Sequence, residues 1–213
     1  MAWKRADYAD VREDMRPGDV IAFSGKSNVH ELIKSAISSD VTHVAVVLSA
    51  PPPTEGKPPP ELCIIESASL YGGVTINPLS ERLASYEGIV WWLPLSEAVR
   101  ARMDLQAFQD FLLQQEHKPY DVPQAIKSAL DRLDHGVGQL THNVEDFAEL
   151  FCSELIAAAL EASGAISHLN ASEVTPQDLC MFSIYQPDYY QLKGEEPLII
   201  KGYNTLSPEG WGE

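Results

Sequence analysis

Residues 42–48 read THVAVVL, from Thr42 to Leu48. This β-branched run suits a largely buried strand, with His43 at its opening, where an imidazole stands at the lip of a sheet. Downstream, Ala50 to Glu61 holds six prolines in twelve residues, the composition of a stiff, extended surface loop. Leu62 to Ser67 is again strand-like, so the loop joins two strands. Upstream, Pro17-Gly18 marks a turn and Asp19 to Phe23 is a short apolar strand. Asn28, with Glu31 three residues later, matches a helix-capping pattern. The helix it opens carries Val29, Leu32, Ile33, Ala36 and Ile37 on one stripe.

Beyond this region, Gly72-Gly73 turns into a short strand at Val74 to Ile76, and Pro78 to Ser85 reads as a helix with Pro near its first position. Gly88 to Leu93 is a further strand and includes Trp91-Trp92. Helical periodicity begins at Ser96, taken as an N-cap, and continues through Leu113. A second helix is expected over Gln124 to Leu133, and a glycine-containing loop over His135 to Asn143. The strongest helical stretch runs from Asp146 to Ser163, with Gly164 just past its end. Pro176 to Met181 is a helical turn, and Leu198 to Tyr203 is read as a late strand. No repeat or internal boundary appears, so the expectation is one α+β domain over residues 1–213, with strands first, a helical middle and strands returning at the end.

The 213 residues carry 15 Lys plus Arg against 31 Asp plus Glu, a formal charge of −16. That balance argues against nucleic acid as a partner, because such binding neutralises phosphates with cations. The charged opening MAWKRADYADVREDM lacks the apolar run of a secretory signal, and no stretch approaches the roughly 18 apolar residues of a spanning helix. The three cysteines, Cys63, Cys152 and Cys180, do not suggest a disulfide framework, and none has the short Cys or His spacing of a zinc site. No HExxH, GxxxxGK or GxGxxG pattern occurs, so neither a metal nor a cofactor is expected. The expectation is a soluble, reduced, cytoplasmic protein.

Cys152, in FCSELIAAALEASG, falls in the first half of the strong helix, where the helix dipole favours a thiolate. It is equally a small apolar residue of the kind that fills cores. A nucleophilic cysteine needs a base, itself oriented by a third group. His43 stands at a strand opening, and Glu66 follows three apolar residues on the next strand, where it can orient the imidazole. Each residue also has a plain structural reading: a strand-end histidine bound to backbone, and a solvent-facing carboxylate. Tyr120, in the turn after His117, is a candidate for lining a pocket, and Tyr71, Trp91 and Trp92 for an apolar cleft wall, although paired Trp on a strand is more often core and rim packing.

Six segments taken in order, RPGDVIAF, VTHVAVVL, IIESASLYGGVTINPLSERL, HKPYD, LFCSELIAAALEASG and TPQDL, span about residues 16 to 180. Over them the chain resembles the circularly permuted, NlpC-type papain-like cysteine hydrolases, in particular their YiiX-like branch. The resemblance implies a permuted papain-like fold, a small antiparallel sheet or partial barrel packed against helices, in which the histidine precedes the cysteine. It implies Cys152 as nucleophile, His43 as base and Glu66 as orienting partner, in a hydrolase or acyltransferase acting on a small-molecule, peptide or lipid substrate through an amide, ester or thioester. The Pro-rich insertion is longer than the family leads one to expect. A different class also fits, a non-catalytic module of the same fold that binds lipid or peptide. A redox-sensing thiol protein is the third reading.

Overall fold

The computed structural model describes residues 2–25, 39–49, 61–68, 72–117 and 150–212. Seven strands form one sheet: β1 (Ala2–Arg5), β2 (Val20–Gly25), β3 (His43–Ser49), β4 (Cys63–Ala68), β5 (Gly73–Pro78), β6 (Gly88–Leu93) and β7 (Asp188–Lys193). Their order is β1-β7-β6-β2-β3-β4-β5. The β1–β7 pair is parallel and the other neighbours are antiparallel. The α+β class holds. The sheet is neither small nor wholly antiparallel, because β1 and β7 extend it beyond the strands the sequence reading found. The proline-rich loop, the helix around Leu32 and the segment with Gln124 to Leu133 lie outside the described residues, apart from Glu61.

The helices are α1 (Tyr8–Val11), α2 (Leu79–Ser85), α3 (Glu97–Arg102), α4 (Leu105–Gln115), α5 (Leu150–Ala162) and α6 (Pro176–Met181). Strand alternation divides the core between the two faces of the sheet. Val44, Val46 and Ile65 join Phe108 of α4 and Ile156 and Leu160 of α5 on one face. Ala45, Val47, Ile64 and Phe23 join Leu79 and Leu83 of α2 on the other. Both sides of β3 are therefore covered, which is why Val44–Leu48 is apolar at every position rather than at alternate ones. Among the described residues no helix is long and apolar enough to cross a membrane.

Local signals account for most boundaries. The Ser96 side chain caps α3 as expected, accepting from Val99 N. The helix expected beyond it is two helices, however. Asp104 caps α4 through a bond from Ala107 N at 3.0 Å, and its own N–H donates to Ser163 O at the end of α5. An aspartate that can satisfy a fresh set of helix-start amides makes the break favourable. At the end of α5, Ala165 N donates to Leu160 O and Gly164 N to Glu161 O, a Schellman closure that needs the positive φ of Gly164, 73°.

The late strand at Leu198 to Tyr203 does not form, and the returning strand is β7. Backbone groups of the later segment are met by side chains instead of a ladder. Leu198 N donates to Gln191 Oε1, Ile200 N to Tyr189 Oη, and Leu198 O accepts from Trp91 Nε1. At the start of β2, the buried Asp19 carboxylate gathers Arg16 N at 2.9 Å, Leu95 N at 2.8 Å and Trp92 Nε1 at 3.0 Å, and pairs with Arg100. Removing it strands all these donors and leaves a largely buried cation. Asp19→Ala is expected to cost about 3–5 kcal/mol, measured as a lower urea midpoint at unchanged slope.

Candidate functional site

His43 is the first residue of β3 and stands opposite Phe23 of β2. Its ring lies on the α2 side of the sheet, 5.3 Å from the Phe23 ring centroid. The imidazole is 3% exposed, and its Nε2 lies 2.8 Å from Oε2 of Glu66. Glu66 comes from the middle of β4 and has no exposed surface. Cys152 belongs to α5, on the opposite face of the sheet, and is likewise fully buried. The two layers meet here because His43 opens its strand, where groups from both faces reach the same end of the sheet. Val44 N donates to Cys152 Sγ at 3.4 Å, which ties the sulfur to the start of β3.

The remaining acceptor capacity of Glu66 is filled from β5 and α2. Asn77 Nδ2 donates to Oε1 at 3.1 Å and also to Thr75 Oγ1. Arg82 Nε lies 3.0 Å from Oε1 and 3.2 Å from Oε2. Thr75 is the register partner of Glu66, so Asn77 lies two residues along the same face. Neither Asn77 nor Arg82 was singled out from the sequence. A signal for Arg82 was nonetheless there: it shares an i, i+3, i+4 stripe with Leu79 and Leu83, the buried face of α2. A cation on an apolar stripe needs a buried anion.

The expected pocket residues are not brought into this group. Trp91 has no exposed surface; it packs on the α5 side and donates its indole N–H to Leu198 O. It is a core residue and not a wall of an open cleft. Tyr71 and Tyr120 lie outside the described residues. Cys180 is fully buried, and burial pushes its thiol above the usual range. Cys63 is partly exposed.

Burial by itself would lower the His43 pKa. The negative charge that Cys152 and Glu66 can carry outweighs burial and raises it from 6.5 to about 10. Nδ1 of the ring has no hydrogen-bond partner among the described residues, although Cys152 lies close enough to raise the imidazole pKa. Hydrogen bonds between such groups commonly tighten only when substrate is bound. For Glu66, burial pushes the pKa up, but His43 and Arg82 together hold it below its ordinary value. A thiol, an imidazole and an ionised carboxylate placed in this order can pass a proton from sulfur to nitrogen.

The signs follow from linkage. The raised His43 value stabilises the fold fully below pH 6.5, and that contribution fades as pH climbs toward about 10. The lowered Glu66 value stabilises it above 4.5 and is lost on acidification. A histidine NMR titration is expected to show His43 protonated until about pH 10. Cys152→Ala and Glu66→Gln should each lower that midpoint, and an ordinary midpoint in the wild type would contradict the charge assignment.

No family model matches the chain, and no curated protein matches it. Among solved structures, it is similar to the crystal structure of metalloprotein YiiX (DUF1105) from Escherichia coli O157:H7. The identity is 18% and the TM-score 0.45, over 73% of this chain and 69% of that one. Among the described residues of this chain, no group of three or more His, Cys, Asp or Glu is disposed to hold a metal ion.

Proposed function

We propose that the protein is a cysteine hydrolase of the permuted papain-like, NlpC-type kind, acting on an amide, peptide or acyl-ester bond through Cys152, His43 and Glu66. One observation carries the reading. A buried imidazole is hydrogen-bonded to a buried carboxylate and lies close enough to a cysteine for that cysteine to act on its charge. His43 and Glu66 lie 23 positions apart along the chain, and Cys152 lies 108 positions beyond Val44, the residue after His43. Histidine ahead of cysteine along the chain is the order that the permuted fold requires.

In the proposed reaction the proton of Cys152 already rests on the His43 imidazolium, and the Sγ thiolate attacks the substrate carbonyl carbon. A C–S bond forms as the π electrons move onto oxygen, and the Cys152 backbone N–H is the default donor to that charge. Collapse breaks the bond to the leaving amine or alcohol, which takes the proton from His43. Water then attacks the thioester, His43 accepts its proton, and the acid is released as Sγ departs. Glu66 holds the imidazole in orientation and favours its charged form.

The test is the pH dependence of Cys152 alkylation by iodoacetamide in wild type, His43→Ala and Glu66→Ala. The wild-type onset is expected well below the roughly 8.5 of a free thiol, and His43→Ala should move it up. Cys152→Ala should abolish turnover of any amide or acyl ester the protein cleaves. An ordinary thiol indifferent to both substitutions would overturn the proposal. It would leave the non-catalytic lipid- or peptide-binding module, a reading that the complete burial of Cys152 favours.

A further inference from the structure

Arg82 is an unusual residue to enclose. It is 9% exposed on a helix face otherwise made of Leu79 and Leu83. Its guanidinium carbon lies 5.1 Å from the Phe23 ring centroid and 5.0 Å from that of Tyr86. Two aromatic faces thus hold the planar cation. Its Nε hydrogen spans both oxygens of Glu66. No requirement of the helix itself demands a cation at this position, and an apolar residue would continue the stripe.

We infer that Arg82 is a positioning residue of the site. By cancelling the charge of Glu66 and fixing its orientation, it leaves the positive charge of the His43 imidazolium to stabilise the Cys152 thiolate. The inference rests on the functional reading proposed above. With Arg82 present, the thiolate–imidazolium state pairs two cations, Arg82 and His43, with two anions, Glu66 and Cys152. Without Arg82, the same buried state carries one uncompensated negative charge, and the thiolate becomes harder to form. Among the described residues, the groups around this cluster include Phe23 from β2, Val44 N from β3, Thr75 and Asn77 from β5, Tyr86 after α2, and Cys180 of α6, whose thiol feels the charge of Cys152. Of these, Tyr86 and Cys180 can titrate, and burial, the charge of Cys152 and the nearby Asp178 drive the Cys180 thiol further from ionisation.

The experiment compares iodoacetamide alkylation of Cys152 against pH in wild type, Arg82→Gln, Arg82→Lys and Tyr86→Leu. Arg82→Gln is expected to move the onset up by about one pH unit, a tenfold slower reaction on the rising limb. Arg82→Lys keeps the charge and should hold the onset near wild type. Tyr86→Leu admits water to the guanidinium and should move the onset in the same direction by less. A purely structural arginine would reduce the folded fraction without moving the onset. The role of Arg82 is overturned by an unmoved onset in folded Arg82→Gln or, where that variant does not fold, in Tyr86→Leu. It is also overturned if Arg82→Lys shifts as far as Arg82→Gln. Wild type and His43→Ala report separately on the underlying reading. A thiol indifferent to His43 ends both proposals, whereas a His43-dependent thiol with an Arg82-independent onset ends only this one.

Discussion

The buried charge of Glu66 is the constraint around which this part of the molecule is arranged. An ionised carboxylate without exposed surface costs several kcal/mol unless its oxygens are met by donors and its charge is opposed. Here the answering groups come from three elements: His43 from β3, Asn77 from β5 and Arg82 from α2. Each must be present for the others to be tolerated. The register of β3, β4 and β5 and the seating of α2 are therefore tied to a single carboxylate. Such clusters add little net stability compared with apolar packing, but losing one member is expensive.

The sheet sets where this cluster meets the cysteine. Side chains alternate between faces along a strand, so Glu66 and Cys152 occupy different layers and cannot meet through the middle of the sheet. They approach each other around His43 because it is the first residue of β3. A similar logic applies at the other end of β2, where Asp19 draws together backbone and side-chain donors from the Arg16 turn, β6 and α3. The central strand is thus anchored by a buried carboxylate cluster near each end, with apolar residues between them.

Legibility varied with the range of the interactions involved. His43, Glu66 and Cys152 could be named because each has a distinctive residue type at a recognisable position: a strand opening, the end of an apolar run, and the early part of a long helix. Arg82 could have been read from its place on an apolar stripe. Asn77 carried no such mark, since a polar residue beside a proline reads as ordinary turn chemistry until its partner across the strand is known. Trp91 and Trp92 could be read as cleft wall or as core because the sequence does not say what covers each face of β6; they lie on opposite faces and both pack into the core. The apolar run at Leu198 to Tyr203 had the composition of a strand. Its backbone is instead bonded by Gln191, Tyr189 and Trp91.

By itself the sequence determined the α+β class, the strands from Val20 to Leu93, the caps at Ser96 and Gly164, and the residue types from which a thiol site can be built. These depend on periodicity, turn chemistry and helix ends, which act over a few residues. The parallel pairing of β1 with β7, the division of the core between two faces and the ring of donors around Glu66 were decided only in the tertiary structure. Those contacts join residues far apart in the chain, such as Trp3 and Gln191, and no local signal records them. Their partners are chosen by which packing buries the apolar faces while leaving no charge unanswered.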